Sequence, residues 1–326
     1  MAAQRRNQGR VFGNALHASA STTLVRRWKP DLITEQWSAV LLRLRNPATD
    51  RLPRMKTTAV VAALLLLVAS CSSEPDLPTR ELPPAGGQLD YQLGGAYQPD
   101  VPVKIVVRDR SKTIDGRRYN ICYLNALQTQ PGSMDGGLDW WRKNHADLLV
   151  KKPDGEVAID PEWAEGILDI STGDKRSRIL EIQKKWIKDC KTSFYKGVEP
   201  DNLDSYTRAE GAFDLGATKE FMKAFVRYAH EQGLAVAQKN TAELGDAGKK
   251  EIGFDFAIAE DCQARDECNA YADAFGNDFF QIEYTEEGFR KSCTDRGGRV
   301  SVIRRDRNLV PYGHEDYVYE VCPPTV

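Results

Sequence analysis

The chain has 326 residues, with 45 Lys and Arg against 47 Asp and Glu, and seven cysteines. Its 41% apolar and 28% charged content excludes a wholly disordered chain and a polytopic membrane protein. A net charge of −2 argues against a dedicated nucleic-acid binder, but that figure averages over unlike segments.

Residues 1–54 carry ten basic side chains, Arg5, Arg26 and Arg43 among them, against Asp31, Glu35 and Asp50 alone, which leaves about +7. From Cys71 onward 34 basic residues face 44 acidic ones, about −10. The boundary between these segments has the form of an export signal. Met55-Lys56 is a short basic start, Ala59 to Ala69 is an apolar run, and Leu67-Val68-Ala69-Ser70-Cys71 is similar to a bacterial lipobox. Eleven apolar residues fall short of the roughly 20 that a membrane span needs. The expectation is a lipoprotein signal peptide over 55–70, with Cys71 lipidated and anchoring an exported protein to the membrane. Such a signal belongs at an N-terminus. Translation is therefore expected to start at Met55, with residues 1–54 a disordered upstream segment and a basic cytoplasmic extension as the rival reading.

Residues 71–88, rich in Pro, Ser and Gly, read as a flexible tether, and 89–326 as one domain. Within it, strand-like runs cover Val103–Val107, Tyr119–Leu124, Gly197–Glu199, Leu234–Gln238, Phe254–Ala259, Phe279–Tyr284 and Val300–Ile303. Helical spacing places Ile179, Ile182 and Trp186 on one face of Arg176–Lys188. It does the same for Phe221, Phe225 and Tyr228 in Thr218–Gln232, which Gly233 would cap. Alternation of this kind over about 240 residues predicts an α/β fold, a single-domain (β/α)8 TIM barrel.

The six cysteines after Cys71 suit disulfides in an exported protein. Cys262 and Cys268 are close enough to clip one loop, and Cys293 with Cys322 would leave Cys122 for Cys190, although sequence permits 15 pairings. No CxxC, HExxH or nucleotide-binding motif occurs, so neither metal nor cofactor is expected. Only His145, His230 and His314 follow Cys71, which argues against a Ser-His or Cys-His nucleophile.

Four strand-like runs end in polar residues: Glu199-Pro200-Asp201-Asn202, Gln238-Lys239-Asn240, Glu260-Asp261 and Glu283-Tyr284. In a barrel these ends converge on one face, where active sites are built. The plainer reading is that the acids begin helices, where the dipole favours them. Carboxylates and amides in one mouth suit glycoside hydrolysis, which needs two carboxyl groups about the scissile bond. Lys239, Asn202 and Asn240 could orient the sugar or tune a neighbouring acid.

The run Gly197-Val198-Glu199-Pro200-Asp201-Asn202-Leu203-Asp204 resembles the GVEPDNVD signature of glycoside hydrolase family 114, the endo-α-1,4-polygalactosaminidases and their relatives. Tyr119–Tyr123, Trp163 to Ile170, Gln238–Asn240, Phe254–Cys262 and Ile282–Tyr284 follow the family's blocks in order. The resemblance implies a TIM-barrel endo-glycosidase acting on α-1,4-linked galactosamine polymer. Asp201 would be nucleophile or base, and Glu260 general acid/base. Glu199, Asn202, Asp204, Lys239, Asn240, Glu283 and Tyr284 would bind sugar or tune the pair, with Trp140, Trp141 and Tyr206 as further stacking candidates. Leu124-Asn125-Ala126 replaces the Ser-Ala-Gly common in relatives, and Ala259 stands where Asn is common, so specificity is open. A partly deacetylated polygalactosamine is a polycation, which an acidic domain would attract. The alternative is a non-catalytic surface glycan-binding lipoprotein of the same fold.

Overall fold

The computed structural model describes residues 77–132 and 135–323. The basic segment 1–54, the signal peptide 55–70 and the lipidation site Cys71 lie outside the described residues, as do residues 71–76 of the tether. From Arg80 onward the chain is already fixed. Arg80 Nε donates to Asp255 Oδ1 at 2.9 Å, and the Tyr119 hydroxyl donates to the Glu81 carbonyl at 2.7 Å. The expected tether thus gives way to packed chain before residue 88, because Arg80 gains a buried carboxylate.

Nine strands form one curled sheet in chain order: β1 (Leu89–Gln92), β2 (Ile105–Asp109), β3 (Tyr119–Asn125), β4 (Gly197–Asp201), β5 (Ala235–Lys239), β6 (Phe256–Glu260), β7 (Phe279–Glu283), β8 (Ser301–Arg305) and β9 (Tyr319–Val321). All neighbours from β1 to β8 pair in parallel, and β9 returns antiparallel to β8. All seven strands expected from the sequence are present, with β1 and β9 in addition. β1 and β8 also meet: Leu89 N donates to Ser301 Oγ at 3.1 Å, and buried Arg305 donates to the Tyr91 carbonyl.

Five α-helices occur among the described residues: α1 (Leu138–Asn144), α2 (Gly173–Thr192), α3 (Leu215–Glu231), α4 (Cys268–Phe275) and α5 (Glu286–Arg296). This corrects the strict eightfold alternation, since the β1–β2 and β2–β3 connections carry no helix. Gly94, Gly95, Pro99 and Pro102 interrupt the first of them. Gly94 also lies so close to the Leu309 carbonyl that a Cβ would come within 2.5 Å of it. The helices that do form have the expected starts. Thr172, Asp214 and Thr285 accept from Lys175 N, Ala217 N and Gly288 N at the heads of α2, α3 and α5. Gly233, at φ +69°, ends α3.

Alternation along the strands divides the apolar residues into two layers. Tyr91, Val107, Ile121, Ala237, Ile258 and Ile303 fill the inside of the curl. Val198, Val236, Ala257 and Phe279 face outward against Ile179, Trp186, Phe221 and Phe225 of the helices. Truncating one of these buried aromatics to Ala would cost about 3–5 kcal/mol. Three disulfides, Cys122–Cys190, Cys262–Cys268 and Cys293–Cys322, tie strand to helix, a loop to α4, and α5 to the C-terminal segment. No helix among the described residues is long and apolar enough to cross a membrane.

Candidate active site

Strands β4, β5 and β6 end in Asp201, Lys239 and Glu260, and each is followed by a residue in the left-handed region. These are Asn202 (φ +67°), Asn240 (φ +47°) and Asp261 (φ +52°). Asn and Asp tolerate that conformation better than other side-chain-bearing residues. The repeated reversal turns the chain away and leaves three charged side chains at the end of the sheet. A cavity of about 610 Å³ opens above them.

Lys239 is the centre of the floor. Only 2% of its side chain is exposed, and its Nζ lies 3.2 Å from Asp201 Oδ1, 3.0 Å from Glu260 Oε2 and 3.6 Å from Glu199 Oε1. Two oxygens within those distances of one nitrogen are at most about 6 Å apart, so Asp201 and Glu260 face each other across the ammonium. Burial disfavours the Lys239 cation, but three carboxyl neighbours outweigh it and hold the pKa well above the usual lysine value.

The acids around Lys239 are treated differently. Asp201 is desolvated, yet its carboxyl stays below the usual range. Lys239 opposes the burial, the Tyr123 hydroxyl donates to Oδ2 at 2.7 Å, and Asn202 N donates to Oδ1 at 2.7 Å. Glu199, two residues earlier on the same face of β4, is fully buried and receives one hydrogen bond, from Tyr91 OH at 2.8 Å. Its Oε2 has no partner among the described residues, and burial pushes its carboxyl up to about 8. Glu260 is held by Asn240 Nδ2 at 3.3 Å and by the Tyr284 hydroxyl, while its own N–H donates to Asn240 Oδ1 at 2.8 Å.

Asp201, Glu260, Asn202, Asp204, Lys239, Asn240 and Tyr284 all line the cavity, as the sequence led one to look for. Glu199 lies beneath it and touches it only through Lys239. Glu283 is not a lining residue: fully buried, it accepts from Gln281 Nε2 at 2.8 Å and Gln263 N at 2.9 Å and so anchors the loop after β6. Asp204 is bound to Arg208, at 2.8 Å. Trp141 is buried against Trp186, and Tyr206 bonds Glu243 outside the cavity, so neither they nor Trp140 line it.

Residues not singled out as site residues complete the walls. Tyr123 lies beside Asp201, and Tyr91 supports Glu199 from below. Trp163 is 56% exposed on the loop that also carries Glu162 and Glu165. Arg307 reaches Glu162 at 2.8 Å and Asp261 at 3.3 Å across the rim, with its guanidinium 5.5 Å from the Tyr284 ring centre. Period-two alternation could have found Tyr123, since it pairs with Glu199 in register; nothing local marks Arg307. The one cluster of His, Cys, Asp and Glu close enough to ligate a metal among the described residues is Cys262, Cys268 and Glu283. Its two sulfurs are bonded to each other.

A curled parallel sheet with two carboxyl groups on the floor of a strand-end cavity is compatible with glycoside hydrolysis. Residues 71–326 match the glycoside hydrolase family GH114, and the chain belongs to that family. The crystal structure of Ega3 from Aspergillus fumigatus, in complex with galactosamine, is similar in fold, with 21% identity and a TM-score of 0.58 over 76% of this chain and all of that one. The glycoside hydrolase domain of PelA from Pseudomonas aeruginosa aligns at 16% identity and a TM-score of 0.49, over 70% of this chain and 98% of that one. None of the curated proteins compared matches the chain.

Proposed function

We propose that this glycoside hydrolase cleaves internal α-1,4-galactosaminide bonds in an amino-sugar polysaccharide, with Asp201 as nucleophile and Glu260 as general acid/base. The observation that carries the reading is the pair itself: two carboxyl groups at the ends of β4 and β6, facing one cavity and sharing Lys239. Asp201 is held ionised, as a nucleophile must be. One of its oxygens attacks the anomeric carbon as the glycosidic bond breaks, and Glu260 gives its proton to the leaving oxygen. Water then attacks the glycosyl ester while Glu260 takes a proton back, and the Asp201 carboxylate leaves. We assign double displacement because both acids reach one ammonium; a retaining pair sits about 5–5.5 Å apart and an inverting pair about 6.5–9.5 Å.

Around the pair, Asn202, Asp204, Asn240 and Tyr284 are the residues we assign to sugar contact, and Trp163 offers an exposed ring for stacking. Glu199 and Lys239 act from the floor, and Glu283 supports the site by fixing a loop. We read the curled sheet as a TIM barrel that closes β8 on β1 through Arg305 and Ser301. The excess of acid from Cys71 onward suits a cationic polymer, and the lipobox-like run suits export and anchoring through Cys71.

The test is direct. Residues 72–326 should release oligosaccharides from partly deacetylated α-1,4-galactosamine polymer, with retained anomeric configuration by NMR. Asp201→Asn and Glu260→Gln should each lower kcat by about 10³-fold or more while the protein remains folded by circular dichroism. Full activity in either variant removes its assigned role. Binding of the polymer without cleavage by wild type would favour the glycan-binding alternative.

A further inference from the structure

The loop between Ile159 and Gly166, part of the cavity wall, is held by its own backbone hydrogen bonds. Ile159 and Gly166 form an antiparallel bridge, Asp160 N donates to the Glu165 carbonyl at 2.8 Å, and Ala164 N donates to the Asp160 carbonyl at 2.9 Å. The Asp160 carboxylate accepts from Glu162 N at 2.9 Å inside the turn, and Gly166 N is held by Thr129 Oγ1 at 2.9 Å. Ala164 takes the left-handed conformation, φ +57°, so that the residues on either side of it, Trp163 and Glu165, both line the cavity.

Glu165 is unusual among the cavity acids. It is 9% exposed, its carboxyl is reached by the Asn125 amide, and among the described residues it makes no ion pair. Asp201 and Asp160 are near enough to act on it electrostatically. The nearby cation, Arg208, is already engaged with Asp160 at 2.8 Å and Asp204 at 2.8 Å. Burial first, then the two neighbouring acids, push the Glu165 carboxyl up to about 8. A buried acid that faces a cavity and lacks a counter-ion of its own is a place prepared for a cation from outside.

We propose that Glu165 reads the charge of the substrate, binding the ammonium of a deacetylated amino sugar while Trp163 stacks on a sugar face beside it. The inference rests on the amino-sugar reading above and deepens it, by assigning the choice between amine and acetamide to one residue. When the ammonium arrives, Glu165 releases its proton to solvent and the carboxylate–ammonium pair remains, so charge and atoms balance. An acetamide brings no positive charge and would leave the carboxyl neutral. The charge-assisted hydrogen bond is thus gained with the amine alone.

The experiment compares kcat/KM on α-1,4-galactosamine oligomers and on their fully N-acetylated counterparts at pH 6, where the amine is charged. In wild type the ratio should favour the amine. In Glu165→Gln the ratio should fall by about tenfold or more, chiefly through KM on the amine. Glu165→Asp, which keeps the charge on a shorter arm, should recover part of it. Melting temperatures taken alongside separate a change in recognition from a change in folding. If wild type cleaves the amine oligomer and Glu165→Gln leaves the ratio unchanged, this assignment is overturned while the function stands. If wild type cleaves neither oligomer, both fall together.

Discussion

The floor and the wall of the cavity are both acidic, yet they are built on opposite plans. The floor, at the ends of β4, β5 and β6, places Glu199, Asp201 and Glu260 around a single buried ammonium. The wall, on the 159–166 loop and the segment after β8, offers Glu162, Trp163, Glu165 and Arg307 at differing depths. The sheet-borne acids share Lys239, and Asp201 and Glu260 also accept from tyrosine hydroxyls. Of the loop-borne acids, Glu162 is paired at the rim and Asp160 in depth, while Glu165 has no counter-ion among the described residues. The difference suits two tasks: chemistry needs groups held to a fraction of an ångström, whereas recognition needs valences left open for a ligand.

The largest effect expected from breaking this contrast is at Lys239. Lys239→Met keeps much of the length and apolar stem but strands Asp201, Glu199 and Glu260 without their shared cation. Leaving buried charges uncompensated costs about 3–5 kcal/mol, on the order of 10 °C in melting temperature. Turnover should fall by about 10²-fold as well, because Asp201 loses the charge that holds it ionised. A melting temperature within 2 °C of wild type, by calorimetry, would mean that the floor is not organised around the ammonium.

Glu199 tests the floor more gently. Its folded value of about 8 lies well above the unfolded glutamate value of about 4.3, so the folded protein prefers the protonated acid. Its contribution to stability is therefore full below about pH 4.3 and is lost as pH rises through about 8. Asp201 has the reverse sign: its lowered value stabilises above the unfolded aspartate value of about 3.9 and is lost as pH falls through the folded one. Glu199→Gln keeps the accepting oxygen for Tyr91 and removes the titration. Its melting temperature should decline less than that of wild type between pH 5 and pH 8. Parallel curves for the two proteins would show that Glu199 is ionised throughout that range.

These floor residues were legible in the sequence, and the wall was not, for a physical reason. A strand entering a cavity keeps its backbone pairing while its side chains turn polar. The apolar runs therefore stop short: Gly197–Glu199 and Leu234–Gln238 are the strand-like stretches of the sequence, where β4 and β5 continue to Asp201 and Lys239. What looked like strand ends followed by charge were the last paired residues of the strands, and that pattern located the site. β1 escaped because Leu89-Asp90-Tyr91-Gln92 is only four residues long and half polar; its Asp90 is held by Gln92 and Tyr97. The β1–β2 connection is broken by Gly94, Gly95, Pro99 and Pro102, and the β2–β3 connection, residues 110–118, is short. Arg307 reaches Glu162 and Asp261 across long stretches of chain, and no local spacing signals it or the buried Glu165.

The rim pair should give the smallest effect, and the sign of that effect is the useful part. Arg307 and Glu162 are each more than half exposed, so their bond at 2.8 Å should add at most about 1 kcal/mol to stability. On a cationic oligomer, however, Arg307 repels and Glu162 attracts. Arg307→Ala should lower KM about twofold at low ionic strength and Glu162→Gln should raise it by a similar factor, both effects fading by about 0.5 M salt. If the pair worked instead as a mechanical strap across the cavity, either substitution would cut it, and both variants would move KM in the same direction. Steady-state kinetics of the two variants at two salt concentrations therefore separates a charged rim from a latch, because only the former gives shifts of opposite sign that vanish together.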